Sequence, residues 1–423
     1  MSAALDEAGL HALCRRSRLR RVLEALEAPG EETRLVGGAV RDALLGRPVT
    51  DIDLATTLLP EETARRAAAA GLKPVPTGIA HGTVTVVAEG EPFEVTTLRE
   101  DVETDGRHAV VRFGRDFARD AERRDFTINA LFADAAGEVR DTVGGLPDLA
   151  AGRVRFIGEA AQRIREDYLR ILRFFRFHAR YGHGAPDPDG LSAAVAARDG
   201  LDGLSRERVR AELLKLLPAP GAPPAAAILS GTGLLQRLTG GVGDLGRLAR
   251  LSAGGTPDPV LRLAALLVHS EADADRLRET LRLSKAEHAR LAAYARAAAS
   301  LHGATGPIDA PALRRLVAQH GLAALADART VLAGEPRPVL AEAGREQLDA
   351  FVSGHEPVPV FPLTGAALIA KGARPGPGIG QALAAARTAW LAEGCPAGAG
   401  IRPRLMALAL SILLDPARPG AGA

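Results

Sequence analysis

The chain has 423 residues, of which 47% are hydrophobic, 25% charged and only 4% aromatic. This suits a soluble enzyme of two to four compact units and excludes one small domain. The 53 Lys and Arg against 51 Asp and Glu give a formal net charge of +2, so overall charge does not by itself indicate a nucleic-acid-binding protein. Cys14 and Cys395 are too few for a disulfide framework or a Cys-based zinc site, and they suit a reducing compartment. The longest late apolar run, residues 405–414, is well short of the ~18 residues of a membrane span, so we expect a cytoplasmic protein with no signal peptide and no transmembrane helix.

The predicted elements change character along the chain. Residues 5–28 have the spacing of a helix that ends at Pro29-Gly30. From residue 34 to about 156, β-rich runs at 83–87, 93–97 and 110–113 alternate with helix-like runs such as 60–70. From Gly158 onward Ala, Leu and Arg recur at helical spacing, interrupted by Pro/Gly clusters. The sequence therefore predicts an α/β N-terminal region followed by an all-α array.

A double glycine begins the first candidate site. Residues 35–46 have the pattern of a strand end, Gly37-Gly38 and a helix start. Without side chains, the two glycines allow a phosphate close to backbone N–H groups, and the helix N-terminus contributes partial positive charge. Arg41, in the first turn, adds a full charge. By itself such a pair is usually only a turn.

A carboxylate pair follows within a dozen residues, in Asp51-Ile52-Asp53-Leu54. On a strand, positions i and i+2 point to the same side, so Asp51 and Asp53 would face one spot while Ile52 and Leu54 face the core. Two converging carboxylates suit Mg²⁺, and such a pair beside a phosphate cradle is what nucleotidyl transfer requires. Taken alone, Asp-x-Asp is usually an exposed strand or turn.

These motifs, taken together, resemble the class II tRNA nucleotidyltransferases and bacterial poly(A) polymerases, within the DNA-polymerase-beta-type nucleotidyltransferases. The resemblance is carried by Gly37-Gly38-Ala39-Val40-Arg41-Asp42, Asp51-Ile52-Asp53, His81-Gly82-Thr83-Val84, Arg123-Arg124-Asp125-Phe126-Thr127-Ile128-Asn129-Ala130 and Glu166-Asp167-Tyr168-Leu169-Arg170. It is strong over residues 34–217 and thin beyond. It implies a head with a mixed β-sheet and a polymerase-beta-like palm, followed by an all-α neck, body and tail, with boundaries expected at 1–157, 158–220, 221–304 and 305–423.

Arg124 and Asp125 have a physical role available in such a head. An Arg near phosphates and an Asp that accepts hydrogen bonds from ribose hydroxyls would favour ribonucleotides, and the resemblance implies the same roles. The alternative is that these residues cap a helix whose Phe126 and Ile128 are core. Glu94 is a candidate third carboxylate beside the metal. The polar stretch 100–120, with Asp105-Gly106-Arg107-His108, matches the family's flexible loop, and an ordinary β-hairpin is the equal alternative.

The segment 162–180 has two faces when drawn as one helix. Residues 151–180 hold eight arginines and three acidic side chains, and Asp167, Arg170, Arg173 and Arg176 recur every three residues. An Asp and an Arg one turn apart can read a base edge, because cytosine and adenine offer an amine to Asp167 and a ring acceptor to Arg170. Guanine and uracil present a carbonyl to the carboxylate instead.

The resemblance implies the same role for this unit, with Arg173 and Arg176 supporting. The alternative is a solvated basic helix face with intrahelical salt bridges. Phe174 and Phe177 fall on the polar arc, which leaves packing against the sheet domain or base stacking open.

The expected function is template-independent addition of CCA to the 3′ end of tRNA from CTP and ATP, with Mg²⁺ as cofactor and tRNA, CTP and ATP as partners. Asp51 and Asp53 would hold the metal; Gly38, Arg41 and Arg124 the triphosphate; Asp125 the ribose. The tail would contact tRNA through phosphates. A poly(A) polymerase, an enzyme that adds only CC or only A, and a non-catalytic tRNA-binding protein are the alternatives.

Overall fold

A computed structural model describes residues 4–104, 109–335 and 339–414. The chain divides into two compact units, residues 1–234 and 235–423. Within the described ranges, no helix has both the length and the apolar character needed to cross a membrane. The predicted boundaries at 157, 220 and 304 stay predictions.

The first unit contains a seven-stranded mixed sheet in the order β3-β4-β5-β2-β1-β8-β9. The strands are β1 (Thr33–Val36), β2 (Asp53–Thr56), β3 (Lys73–Gly78), β4 (Thr83–Ala88), β5 (Glu91–Thr97), β6 (Arg99–Thr104), β7 (Ala109–Phe113), β8 (Phe132–Ala133) and β9 (Val139–Arg140). All the described strands except β6 and β7 belong to the seven-stranded sheet. The predicted strands over 83–87, 93–97 and 110–113 are confirmed as β4, β5 and β7. Burial alternates along β4, as expected where a strand presents one face to the core.

Strand register brings the two candidate motifs to one sheet edge. β1 runs antiparallel to β2, with Leu35 opposite Leu54, so the end of β1 lies beside the start of β2. β5 runs parallel to β2 on its other side, with Glu94 beside Asp53. The double glycine after β1, the carboxylate at the start of β2 and Glu94 are therefore neighbours.

The polar stretch 100–120 begins as a two-stranded antiparallel hairpin, β6 and β7. Asp105-Gly106-Arg107-His108 lies outside the described residues, so the flexible-loop prediction stays a prediction. At the hairpin base, the Arg99 and Phe113 positions pair, and the Gly114 N–H donates to the Leu98 carbonyl.

The helices of the first unit are α1 (Glu7–Cys14), α2 (Ser17–Leu26), α3 (Gly38–Leu44), α4 (Pro60–Ala69), α5 (Phe117–Glu122), α6 (Gly145–Ala150), α7 (Ala160–Glu166), α8 (Leu169–Tyr181), α9 (Pro188–Ala196), α10 (Arg206–Leu216) and α11 (Ala222–Gly231). The single helix predicted over 5–28 is wrong. Two helices form instead, and they are separated at Arg16, whose backbone angles (φ −58°, ψ 127°) are not helical.

The continuous helix predicted over 162–180 is also wrong. α7 ends at Glu166, Asp167 is extended (φ −154°, ψ 107°), and α8 begins at Leu169. The Asp167 carboxylate accepts the Leu169 N–H at 3.1 Å, a local bond of the kind that makes Asp favourable at helix starts and poor in helix interiors. Asp167 therefore precedes the helix that carries Arg170, Arg173 and Arg176.

Phe174 and Phe177 pack against the head. Phe174 is stacked on Phe156 with ring centroids 5.5 Å apart, and Phe177 lies 5.2 Å from Phe126. Phe126 and Phe156 are themselves 4.8 Å apart. Such aromatic pairs each contribute about 0.5–1.5 kcal/mol beyond their area burial. The cluster fixes α8 against the turn that bears Asp125.

The described part of the second unit is helical, as predicted from Gly158 onward. The chain enters it within α12 (Leu234–Thr239), and the helices that follow are α13 (Leu245–Ala253), α14 (Pro259–Leu267), α15 (Glu271–Leu281), α16 (Lys285–His302), α17 (Ala310–His320), α18 (Leu322–Val331), α19 (Glu342–Val352), α20 (Gly365–Ile369), α21 (Pro377–Ala392) and α22 (Ile401–Leu414). The Pro/Gly clusters fall at turns, as where Pro259 opens α14. Trp390 is buried in a cluster with Phe361.

Candidate nucleotide-binding site

A cavity of about 500 Å³ lies where the sheet edge of the head meets α8. Its walls are formed by Gly37, Gly38, Arg41, Asp53, Arg124, Asp125, Asn129, Asp167, Leu169, Arg170, Arg173, Phe177 and Arg208. The structure thus brings together eight of the ten predicted site residues, while Asp51 and Arg176 do not line the cavity. Arg176 instead donates to Glu212 of α10 at 2.6 Å and lies over the Phe177 ring.

A larger cavity, of about 660 Å³, opens at the other end of β1 around Thr33 and Arg34. Arg34 in its wall contacts Glu32 at 3.0 Å and Asp134 at 3.7 Å, and no glycine is among the described residues that line it. The smaller cavity is therefore the better candidate, because its walls combine carboxylates, arginines and a glycine turn.

The glycine turn needs glycine at its first position. Gly37 has φ +66°, and a Cβ there would lie 3.4 Å from the Asn129 carbonyl oxygen and 3.5 Å from Arg124 Nη1. The Gly37 N–H is bonded to the Leu131 carbonyl at 3.0 Å. The backbone donors that remain for an anion are those of the first turn of α3, which begins at Gly38.

Arg41 is buried and held in place by several partners. It donates from Nη1 to Asn129 Oδ1, from Nη2 to Tyr181 Oη at 2.6 Å, and from Nε to Asp42 Oδ1 at 3.0 Å. Its guanidinium also lies 4.1 Å from the centroid of the Tyr181 ring. Sequence reasoning missed Tyr181; its spacing of four residues from Phe177 on α8 was the available signal.

Arg124 is positioned by Asp120, a residue that sequence reasoning also missed. Arg124 donates from Nε and Nη2 to Asp120 Oδ2 at 3.2 and 3.0 Å. Asp120 is 1% exposed and also accepts from Arg123 and from the backbone N–H of Arg99 at 3.4 Å. Burial raises the pKa of Asp120, but the charges of Arg124 and Arg123 outweigh it and hold the pKa below its ordinary value. An ionised Asp120 thus holds the guanidinium of Arg124 at the cavity wall.

Asp125 is buried, and its carboxylate accepts four hydrogen bonds. Its Oδ1 accepts from the Phe126 N–H and from Asn129 Nδ2, both at 2.9 Å, and its Oδ2 accepts from Nε and Nη2 of Arg173. Burial raises the pKa of Asp125, but Arg173 and these hydrogen bonds hold it below its ordinary value. A carboxylate has about four acceptor positions, so a ribose hydroxyl would have to replace one of these donors.

The carboxylates at the sheet edge are crowded. Asp51 precedes β2, which begins at Asp53, so only one of the pair lies on the strand. Both side chains are exposed while Ile52 and Leu54 are buried, which agrees with the predicted alternation. Desolvation raises the pKa of Asp53, the charges of Glu94 and Asp51 raise it further, and Arg124 opposes them.

These carboxylates fit a divalent cation whose remaining coordination positions are filled by substrate oxygens. Carboxylates that repel one another are stabilised by a cation between them. Among the described residues, no three potential ligands are gathered closely enough to hold an ion alone. Mg²⁺ is usually held by one or two carboxylates together with substrate phosphates, so the crowded pair beside the glycine turn fits it.

Asp167 and Arg170, the predicted base-reading pair, both line the cavity, but no described contact joins their side chains. Asp167 Oδ2 accepts from Arg208 Nη2 at 2.7 Å, a partner on α10 that sequence reasoning missed. Arg170 donates from Nη1 to Glu166 Oε2 at 2.5 Å and to the Arg163 carbonyl at 2.7 Å. Its other nitrogens make no described contact, so they remain available to a base.

Known proteins resemble this chain in sequence, most of all in its head. A model of the poly A polymerase head domain matches residues 33–155. The mitochondrial CCA tRNA nucleotidyltransferase 1 of Danio rerio is 42% identical over 263 residues, 60% of this chain and 61% of that protein. The CCA-adding enzyme of Leuconostoc citreum is 41% identical over 221 residues, 52% of this chain and 54% of that enzyme. The chain thus spans about three fifths or less of the length of these curated relatives.

The fold extends the likeness beyond the head. The crystal structure of the Bacillus stearothermophilus CCA-adding enzyme in complex with CTP matches with a TM-score of 0.71 and 29% identity, covering 94% of this chain and 98% of that chain. Nucleotidyltransferases of this kind generally use divalent metals. By its head domain, its relatives and its fold, the chain is similar to the tRNA nucleotidyltransferases and poly(A) polymerases.

Proposed function

We propose that the chain adds C, C and A to the 3′ end of tRNA from CTP and ATP, without a nucleic-acid template and with release of pyrophosphate. The observation that carries this is the composition of one cavity. A glycine turn, Arg124 and Asp53 lie on its head side, and Asp167 and Arg170 lie on its helical side. A triphosphate site therefore adjoins side chains able to read a base.

The triphosphate binds to the amides of the first turn of α3 and to Arg124, with Arg41 adding positive charge from its buried position. The ribose hydroxyls reach Asp125, where one replaces a donor from Arg173 or Asn129. Because that carboxylate is ionised and held on both oxygens, it offers a fixed acceptor that a deoxyribose uses less fully.

Base choice follows from donors and acceptors. Asp167 accepts from the exocyclic amine of cytosine or adenine, and Arg170 donates to the ring nitrogen, with the cytosine carbonyl as a further acceptor. Uracil and guanine turn a carbonyl toward Asp167, which leaves two acceptors facing each other in a desolvated site. Arg208 orients Asp167, and Arg173 orients Asp125.

In the transfer step, the 3′ hydroxyl of the tRNA releases its proton to solvent, and its oxygen attacks the α-phosphorus of the nucleotide. The bond from that phosphorus to the bridging oxygen breaks, and pyrophosphate leaves in line. Asp51 and Asp53, with Glu94 as a third carboxylate, would hold Mg²⁺. When bound, Mg²⁺ favours deprotonation of the attacking hydroxyl and neutralises charge on the leaving group. Arg124 and the α3 amides hold the departing phosphates.

The helical remainder holds the tRNA through phosphate contacts, which gives salt-sensitive and largely sequence-independent affinity. A cytoplasmic location is part of the proposal, since Cys14 and Cys395 are free and buried thiols that suit a reducing compartment.

The test supplies purified protein and Mg²⁺ with a tRNA transcript that lacks CCA, and CTP, ATP, both, UTP or GTP. Products are sized at single-nucleotide resolution. Two additions with CTP alone and a third only with ATP support the proposal. Only C or only A additions would indicate a specialist, and a long A tail a poly(A) polymerase. Binding without extension would indicate a non-catalytic protein. Asp53→Asn serves as the control that keeps tRNA binding and loses transfer.

A further inference from the structure

Arg163 lies behind the cavity and touches both of its halves. It belongs to α7 and does not line the cavity. Its Nη2 donates to the backbone carbonyls of Arg123 and Arg124, at 2.5 and 2.6 Å. Its Nη1 donates to Glu166 Oε2 at 2.6 Å. One guanidinium therefore joins the turn before Asp125 to the segment that leads into α8.

The same contacts continue to the base-reading residue. Glu166 Oε2 also accepts from Arg170, and Arg170 donates in turn to the backbone carbonyl of Arg163. Arg163, Glu166 and Arg170 thus form a closed ring of charge-assisted hydrogen bonds. The Arg163 guanidinium also connects this ring to the backbone carbonyls of Arg123 and Arg124. Planar guanidinium groups suit such multiple contacts in a way that an ammonium does not.

Burying the charged Arg163 guanidinium costs free energy unless its N–H groups have acceptors. The Arg163 side chain is 12% exposed, and its Nε is buried without a described partner. Burial lowers the pKa of this guanidinium, and the charge of Arg170 lowers it further. The guanidinium donates to the backbone carbonyls of Arg123 and Arg124, which have no other described partner. These hydrogen bonds therefore fix the position of the backbone there.

We propose that Arg163 is a positioning residue that ties Arg170 to the backbone of Arg123 and Arg124, so that base choice and ribose choice are enforced together. This rests on the proposed function. Arg170 meets the base, while the Arg124-Asp125 turn meets the triphosphate and the ribose. A nucleotide spans both, so its base reaches Arg170 correctly only when the turn and α8 keep a fixed separation. Displacements of about 1 Å at such sites can cost about a hundredfold in rate.

The test compares Arg163→Met with the matched control Arg165→Met, which removes an exposed arginine from the same helix. Single additions to tRNA lacking CCA give kcat and KM for CTP, UTP and dCTP, and tRNA affinity is measured separately. Arg163→Met should lower both the CTP/UTP and the CTP/dCTP ratio of kcat/KM by about tenfold or more, with tRNA affinity unchanged within about twofold. Arg165→Met should behave as the unaltered protein. Arg163→Lys should give intermediate ratios, because its single ammonium nitrogen cannot reproduce the planar fork in which Nη1 and Nη2 contact separate acceptors.

Slower transfer by Arg163→Met with both ratios retained would overturn the proposal, because that is the result of a merely structural role. A fall in only one ratio would overturn the claim that the two choices are coupled. If Arg163→Met does not fold, Arg163→Lys decides, and ratios equal to those of the unaltered protein reject the idea. An unaltered protein that adds no nucleotide to tRNA rejects the proposed function itself, which is a distinct result.

Discussion

Arg173 holds the Asp125 carboxylate through two hydrogen bonds to one oxygen, with Nε at 2.8 Å and Nη2 as the second donor. Asp125 is 8% exposed, so without this partner its charged form would be disfavoured by burial. The pair joins α8 to the turn after Arg124. The ionised state of Asp125, the proposed ribose-binding residue, therefore depends on a residue of α8, the helix that carries Arg170.

Removing this partner should make CTP use depend on pH. In Arg173→Met, burial is no longer outweighed, so the pKa of Asp125 rises and the carboxylate becomes protonated as pH falls. We expect kcat/KM for CTP to decline in Arg173→Met at a higher pH than in the unaltered protein, whose Asp125 pKa is held below its ordinary value. The control Arg180→Met removes an exposed arginine near the end of the same helix. Equal pH profiles for the two variants would contradict the assignment.

Gly37→Ala should damage nucleotide binding more than folding. The new Cβ would lie 3.4 Å from the Asn129 carbonyl oxygen and 3.5 Å from Arg124 Nη1, and the Gly37 backbone (φ +66°, ψ −117°) lies in a region that residues with a Cβ rarely adopt. Gly30→Ala is the control for a positive φ in open space, because Gly30 has φ +75° and nothing within 4 Å of an added Cβ. Both variants should lose thermal stability, and only Gly37→Ala should raise KM for CTP. A comparable rise in Gly30→Ala would show that strain alone is responsible.

Glu94→Gln should raise the Mg²⁺ concentration needed for half-maximal transfer. Glu94 lies beside Asp53 in register, and its charge is the larger of the two carboxylate contributions that raise the Asp53 pKa. Losing one carboxylate of the set weakens cation binding. Glu91→Gln, in the same strand but paired with Arg18 away from the cavity, is the control. Titrations of transfer against Mg²⁺ that coincide for both variants would exclude Glu94 as a ligand.

Local sequence patterns were sufficient to predict the part of the site at the sheet edge. Alternating burial through Asp51-Ile52-Asp53-Leu54 and the strand-glycine-helix pattern at Gly37 need only neighbouring residues, and both are confirmed. The helix break at Asp167 was predictable in principle, because Asp favours helix starts, but the hydrophobic periodicity continues across it and hides it.

Only some partners of the cavity residues could be predicted in the same way. Asp120 and Arg124 are four residues apart, a spacing at which side chains of one helical turn meet, so this pair was available from the sequence. Arg208 instead reaches Asp167 from α10, about forty residues further along the chain. Its role depends on tertiary packing, such as the Phe126 and Phe177 contact that fixes α8. No local pattern encodes that packing.

Asp258→Ala should destabilise the second unit more than loss of an ordinary helix cap. Asp258 Oδ1 accepts the N–H groups of Val260 and Leu261, and its Oδ2 accepts from Arg290 Nη1 at 2.7 Å; Arg290 also binds both oxygens of Asp327. We expect a loss of about 1 kcal/mol for the cap and up to about 1 kcal/mol more for the partly exposed ion pair. The control Asp309→Ala removes an exposed Asp cap that accepts only the Ala312 N–H among its described bonds.

Denaturant unfolding of the full chain, followed through the transition of the second unit, gives both losses. Burial raises the pKa of Asp258, but Arg290 and the capping N–H groups hold it below its ordinary value. Its stabilisation is therefore present at neutral pH and lost as pH falls through that depressed pKa, below about 4. The difference between Asp258→Ala and the unaltered protein should shrink in acid. A difference that is independent of pH, or no larger than that of Asp309→Ala, would show that the Arg290 contact adds nothing to the cap.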